Sequence, residues 1–202
     1  MRLVFASNNG AKTRELALLA KEMGQEIVSY KDVLGKKLEF PAESTDNQVE
    51  NAKQKANFIH GYLPDEWILS DDTGFYLEAF PNRFGVTAAR EFRESGLRGI
   101  EQENAYILDL YKDIPDEKRG AYLLATMALC SPEGELFVAA KRGGVAIARE
   151  PKGGPELAGL TDLLLAENGK TLSSMPLEEA VDYHDRSRTL KALLDQVAES
   201  EK

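Results

Sequence analysis

The chain has 202 residues, 43% hydrophobic and 29% charged, which is the balance of a globular protein and excludes wholesale disorder. Its 34 acidic and 25 basic residues leave a net charge of −9, a field that repels nucleic acid and anionic membrane surfaces. One cysteine, Cys130, and two histidines, His60 and His184, exclude an intrachain disulfide, a cysteine zinc site and a multi-histidine metal centre.

Residues 2–6 read as a buried strand that meets the polar turn Ser7-Asn8-Asn9-Gly10. This apolar stretch is too short for a signal peptide, and no run is long enough to cross a bilayer, so a cytoplasmic protein is expected. Leu16, Leu19 and Met23 then recur at helical spacing. Residues 47–61 repeat that pattern, with Val49, Ala52, Ala56 and Ile59 expected on one buried face. Trp67-Ile68-Leu69 is a short strand running into Asp71-Asp72-Thr73-Gly74, and residues 75–77 read as the returning strand. Residues 119–130 are rich in strand formers, and Ser131-Pro132-Glu133-Gly134 is a turn. Residues 135–141 supply the partner strand and 145–148 another, giving a hairpin or meander. Gly153-Gly154-Pro155 is a loop, and Leu190, Leu193, Leu194 and Val197 mark a terminal amphipathic helix over about 186–197. No repeat, low-complexity tract or linker interrupts the chain. The expectation is therefore a single α/β domain over residues 1–202, with a mixed sheet rather than a doubly wound parallel one.

Several segments could carry chemistry, and each has two readings. Ser7-Asn8-Asn9-Gly10-Ala11-Lys12 joins a strand to a helix. Backbone N–H groups at a helix start, with a lysine in the first turn, form a phosphate cradle, and the same residues also make an ordinary helix cap. Asp71 and Asp72 would point to opposite faces within a strand, whereas a glycine-assisted turn at a strand end could re-aim them together. Paired carboxylates bind Mg²⁺ or divide metal binding from proton transfer, and they also cap turns. Glu43 lies upstream of a helix on which Asn51 and Lys55, four apart, share a face that is either part of a metal site or solvated. His184-Asp185-Arg186 with Arg188 reads as a phosphate clamp or as a charged helix start. Gly169-Lys170-Thr171 ends like a phosphate-binding P-loop, but Leu164 stands where that motif needs glycine. Cys130 sits in an apolar strand pattern and is expected in the core.

The order of these motifs resembles the inosine triphosphate pyrophosphatase family, the XTP/dITP diphosphatases. The matching residues are Ser-x-Asn-x-x-Lys-x-x-Glu (Ser7 to Glu15), Glu43, Glu-Asn-Ala-x-x-Lys-Ala (Glu50 to Ala56), Asp-Asp-Thr-Gly (Asp71 to Gly74) and Gly-x-x-x-Ala-Arg (Gly85 to Arg90). The resemblance implies a two-lobed α/β fold with a long mixed central sheet flanked by helices and a nucleotide cleft between the lobes. It also implies a homodimer and a Mg²⁺-dependent hydrolysis of nucleoside triphosphates, ITP, dITP and XTP among them, to monophosphate and pyrophosphate. Carried over, Ser7, Asn9 and Lys12 hold the triphosphate, Lys55 contacts phosphate, and Glu43 and Asp72 serve the metal and the attacking water. Asp72 is the base, Asp71 an auxiliary acid, Thr73 shapes the turn, and Arg186 helps to neutralise the leaving group. The implied partner is a nucleoside triphosphate, with no nucleic acid or membrane.

The second half departs from that pattern. Where the family has Gly-Gly-Phe-Gly-Tyr-Asp, this chain continues Gly153-Gly154-Pro155-Glu156-Leu157, so the aromatics are absent, and Asp162 matches the family aspartate only after a short insertion. The family's Ser-His-Arg becomes His184-Asp185-Arg186, which puts Asp185 where a histidine would face the purine 6-keto group. Losing a stacking ring removes roughly 1–3 kcal/mol of base binding by analogy with single-strand binders. A carboxylate repels a keto oxygen and accepts from an amino group. The alternatives to the deaminated-purine enzyme are the same chemistry with relaxed or altered base preference, and a nucleotide-binding protein that has lost catalysis.

Overall fold

Alternation along strands decides how this chain layers its residues. The computed structural model describes residues 2–202. Strand β1 (Arg2–Phe5) pairs in parallel with β2 (Glu26–Ser29) on one side, Leu3 opposite Ile27, and with β3 (Trp67–Leu77) on the other, Leu3 opposite Trp67. With β4 (Ala121–Cys130) and β5 (Leu136–Gly143) they form a five-stranded mixed sheet of order β2-β1-β3-β4-β5. The chain divides into two compact units, one of Met1–Thr73, Ala125–Lys141 and Arg186–Lys202, the other of Gly74–Leu124 and Arg142–Asp185.

In the first unit the odd-numbered residues of β1, β3, β4 and β5 make one core: Leu3, Phe5, Leu69, Met127, Leu129, Phe137 and Ala139. They pack against Leu16 and Ala20 of α1 (Gly10–Glu22) and Leu190, Leu193 and Val197 of α7 (Asp185–Ser200). Even-numbered Val4, Ala6, Ile68, Ala128 and Cys130 face the other way, onto Tyr30 of α2 (Tyr30–Leu34) and Ala52, Ala56 and Ile59 of α3 (Gln48–His60). A strand buried on both faces is apolar wherever no partner meets a polar side chain, which is why Leu3-Val4-Phe5 carries none. Alanines at 52 and 56 let α3 lie close to the sheet.

In the second unit, α4 (Ala88–Glu94), α5 (Ile100–Leu110) and α6 (Leu177–Ala180) accompany a short antiparallel pair, β6 (Ala146–Ile147) and β7 (Leu164–Leu165). Buried Arg119 organises it by donating from Nε to the Ile147 carbonyl at 2.8 Å, from Nη1 to Tyr111 at 2.6 Å and from Nη2 to Ala148 at 2.9 Å. Phe75, Phe84, Phe92 and Tyr106 form a cluster of edge-to-face contacts, with Phe84 and Phe92 tilted to each other. Gly143 and Gly154 are required by close backbone approach, since a Cβ on either would lie 2.3 Å from the Asp185 amide nitrogen or 2.1 Å from the Ser173 carbonyl oxygen.

Three expectations need correction. Residues 67–77 are one continuous strand, with no turn at Asp71–Gly74 and no separate returning strand. Val49 is exposed; the inward face of α3 instead carries Gln48, Asn51 and Lys55 beside its alanines and Ile59. The strand expected over 145–148 contracts to Ala146–Ile147. Cys130 is buried in the core as expected. Among the described residues no helix is long and apolar enough to cross a membrane.

Candidate active site

The two adjacent aspartates lie in the interior of β3, so the pleat sends their side chains to opposite layers. Asp71 continues the Leu69 face, toward α1 and α7. Asp72 continues the Ile68 and Ser70 face, toward α3, where the Ser70 hydroxyl donates to the Ala52 carbonyl at 2.6 Å. Both carboxylates are buried.

Asp71 is surrounded by donors. Lys12 Nζ on α1 approaches Oδ1 at 3.3 Å, Arg186 Nε at the start of α7 donates to Oδ2 at 3.0 Å, and the Thr73 hydroxyl donates to Oδ2 at 2.9 Å. Arg186 Nη1 also pairs with Glu15, and its Nη2 donates to the Thr73 oxygen at 3.2 Å. A chain of alternating charge therefore runs from Glu15 through Arg186 and Asp71 to Lys12. Lys12 and Glu15 sit three apart on one face of α1, which is how one helix supplies both ends.

Asp72 is served by a helix face instead. Asn51 Nδ2 donates to its Oδ2 at 2.8 Å, Lys55 Nζ lies 3.8 Å from its Oδ1, and Gln48 Nε2 donates to its backbone carbonyl at 3.0 Å. Asn51 also accepts from the Ser44 amide at 2.7 Å and donates to the Ser44 carbonyl at 2.9 Å, which fastens the loop beside Glu43. Glu43 Oε1 pairs with the same Lys55 Nζ at 2.9 Å.

Identical residues thus acquire opposite acidities. Burial pushes both carboxyls up. At Asp71 the cations Lys12, Arg186 and Lys55, with the Thr73 hydroxyl, outweigh burial and hold the carboxyl well below its ordinary value. At Asp72 burial prevails over Lys55, Asn51 and Lys12, and the Glu43 charge adds to it, so its carboxyl is raised. Asp71 is a fixed anion, and Asp72 is the carboxylate with the greater appetite for a proton.

The 7–12 segment makes a helix cap. Asn9 Oδ1 accepts from the Ala11 and Lys12 amides at 3.0 and 3.2 Å, and Ser7 Oγ accepts from the Asn9 amide at 3.1 Å. The cap takes up the Ala11 and Lys12 N–H groups, so what the start of α1 retains for an anion is the helix dipole and the Lys12 ammonium.

In the second unit, Asp162 is buried, its Oδ1 meets no hydrogen-bond partner among the described residues, and a Cβ on Gly153 would sit 3.3 Å from that oxygen. Asp185 is fully buried and its Oδ1 lies 2.8 Å from His184 Nδ1. Of the residues singled out from sequence, Ser7, Asn9, Lys12, Glu43, Lys55, Asp71, Asp72, Thr73 and Arg186 belong to the first unit, while Asp162 and Asp185 belong to the second.

Asn51, read from sequence as sharing a face with Lys55, does face Asp72, and Gln48, which was missed, lies on the same face, a spacing legible as 48, 51, 55 once Asp72 is known to face that helix. Glu15 was visible only as the end of a motif, because its partner Arg186 is far away in sequence. Among the described residues no cluster of three or more His, Cys, Asp or Glu side chains could cage a metal. Glu43 and Asp72 nevertheless meet at one ammonium group, so a cation position bounded by two carboxylates exists. That donor set fits Mg²⁺, which takes one or two protein carboxylates and completes its shell with phosphate oxygens and water.

Residues 3–196 match the Ham1 family. A dihydroneopterin triphosphate diphosphatase of Limosilactobacillus reuteri is 31% identical over 200 residues, covering 97% of either chain. A dITP/XTP pyrophosphatase of Geobacter sulfurreducens is 30% identical over 196 residues, 96% of this chain and 95% of its own. The crystal structure of a nucleoside-triphosphatase, dITP/XTP pyrophosphatase, from Mycobacterium abscessus aligns with a TM-score of 0.64 and 32% identity, covering 96% of this chain and 99% of that one. Matched from the first strand to the last helix, and similar to these proteins over nearly their whole lengths, the chain belongs to the Ham1 family.

Proposed function

We infer that the chain is a nucleoside triphosphate diphosphatase that hydrolyses the α–β phosphoanhydride, releasing a monophosphate and pyrophosphate. The observation that carries this reading is the divided aspartate pair: Asp71 locked as an anion between Lys12 and Arg186, Asp72 made a weaker acid by burial beside Glu43 and Lys55. Asp72 orients the attacking water and accepts its proton, the task for which a carboxylate raised toward working pH is suited. Asp71, through its ion pair, aims the Lys12 ammonium, and Lys12 with Lys55 neutralises phosphate charge, about four negative units on a free triphosphate. Arg186 is engaged by Glu15, Asp71 and Thr73, which supports a positioning part for it at this site. Ser7 and Asn9 shape the turn that presents the start of α1 to phosphate oxygens. Glu43 and Asp72 would hold Mg²⁺. When bound, that ion supplies charge for the phosphate oxygens and polarises a water.

The deaminated purines ITP, dITP and XTP are the first substrates in view, supported by the similarity to the dITP/XTP pyrophosphatases of Geobacter and Mycobacterium. A second reading has its own support. The buried Asp162 oxygen can accept from a ring N–H or amino group, and a 2-amino-4-oxo ring, as in a pterin, carries both. The relative from Limosilactobacillus reuteri is named for a pterin triphosphate. The test is pyrophosphate release from ITP, dITP, XTP, ATP, GTP and dihydroneopterin triphosphate, with and without Mg²⁺. Metal-dependent release from at least one is expected; release of inorganic phosphate alone would overturn the reading.

The family match over residues 3–196 supports reading residues 1–202 as one domain of two lobes. A net charge of −9 supports a small triphosphate, not a nucleic acid, as partner. A cytoplasmic homodimer completes the proposal, and light scattering of the purified protein checks the dimer.

A further inference from the structure

Lys55 stands where a divalent ion would bind. Its Nζ lies 2.9 Å from Glu43 Oε1 and 3.8 Å from Asp72 Oδ1, its side chain is 10% exposed, and those two carboxylates are the ones that suit Mg²⁺. The other Asp72 oxygen is taken by Asn51 at 2.8 Å, so the oxygen facing Lys55 is the one left for a cation. Asn51 also fastens the Ser44 backbone, next to Glu43, through two hydrogen bonds, so a neutral group holds the Asp72 carboxylate and the segment that carries Glu43, while the half-exposed Glu43 carboxylate itself has Lys55 as its partner.

We propose that Lys55 is the resident counter-cation of the Glu43–Asp72 pair and competes with the divalent ion for it, leaving only when phosphate oxygens offer its ammonium another partner. This rests on reading Glu43 and Asp72 as the metal pair. An ion bound to both carboxylates sits about 2.1 Å from their oxygens, and an ammonium still paired with them would be a like charge at close range. Lysine can leave, because its charge rides on a flexible stem with rotatable donors, which an arginine fork at this position could not match. The consequence is ordered loading: metal binds weakly alone, and binds well when a triphosphate draws Lys55 away. Binding free energies of this kind are reciprocal, so metal also strengthens triphosphate binding.

The test is Mn²⁺ titration of the nucleotide-free protein, read as free Mn²⁺ by electron paramagnetic resonance, for wild type, Lys55→Met, Lys55→Gln and Glu43→Gln. Relieving the competition should tighten Mn²⁺ binding in Lys55→Met and Lys55→Gln about tenfold, within the usual span of coupling between sites. Mn²⁺ should then raise the Tm of the lysine variants more than that of wild type, which also shows that they fold. Unchanged or weaker Mn²⁺ binding in the folded lysine variants overturns the proposal, as does no binding to wild type and variants alike. Glu43→Gln separates this failure from that of the metal pair: if it leaves Mn²⁺ binding intact the pair itself is wrong, and if it abolishes binding while the lysine variants do not tighten, the competition alone is wrong.

Discussion

The two units treat their buried acids differently. In the first, Asp71 has an ammonium, a guanidinium and a hydroxyl around it, and Asp72 has an amide and an ammonium. In the second, Asp162 keeps a buried oxygen with no partner among the described residues, and the sequence around it has lost the aromatics of the family pattern. A burial cost that is met inside the protein marks machinery that works on a constant part of the substrate. A burial cost left unmet leaves an acceptor open to a donor from outside the protein, a water or, as proposed for Asp162, a ligand. The phosphates are that constant part, and the ring is the part that varies.

This contrast can be broken most forcefully in the first unit. Asp72→Asn should lower turnover by about 10²–10⁴-fold, the usual worth of a general base, while triphosphate binding by calorimetry persists. Near-normal turnover would remove Asp72 from the chemistry. Asp71→Asn should instead cost stability, about 1–3 kcal/mol in urea unfolding, because it strips the buried Arg186 of one of its carboxylate partners and leaves Glu15. A stability loss as large for Asp72→Asn would erase the difference between the neighbours. Since the Asp72 carboxyl is raised, it should protonate in the metal-free protein at a pH above the ordinary aspartate range, where the Asp71 carboxyl is still ionised, and added Mn²⁺ should lower that pH. The stability contribution of Asp71 has the lowered-acid sign: it is present above the unfolded aspartate pKa and lost only as pH falls through the depressed folded value. For Asp72 the sign reverses, and its ionisation costs stability as pH rises through its raised folded value.

The second unit sharpens the comparison with smaller effects. Asp162→Asn should alter the ranking of head groups in kcat/KM by about 10–100-fold, the cost of mispairing one or two buried polar groups, and leave Tm unchanged or higher. An unaltered ranking would take Asp162 out of recognition. Smallest of all, Val49→Ser should change stability by less than about 0.5 kcal/mol, since that side chain is exposed.

Much of this was legible before any coordinates. The strand–turn–helix opening, the α3 helix, the 131–134 turn and the terminal helix follow from periodicity and breakers, and the family's motifs put Lys12, Glu43, Lys55 and the aspartates in one list. The errors have a common cause. Two acids followed by Thr-Gly look like a turn, because a strand interior is expected to be apolar; here Lys12, Arg186, Asn51 and Lys55, from three helices, supply the charge and hydrogen bonds that let β3 run on. Val49 was placed inside by counting apolar residues, whereas the helix turns its Gln48, Asn51 and Lys55 inward to meet Asp72. Long-range partners such as Glu15 and Arg186 leave no local pattern to read.

The central claim is that one pleat drives two neighbouring aspartates apart in acidity. Carbon-13 NMR of the aspartate carboxyls, assigned through Asp71→Asn and Asp72→Asn and followed from pH 8 downward, measures both ionisations in one molecule. The account predicts that Asp72 protonates first, above the ordinary aspartate value, while Asp71 stays ionised for as long as the fold survives. Titration of both near the ordinary value, or protonation of Asp71 before Asp72, would contradict it.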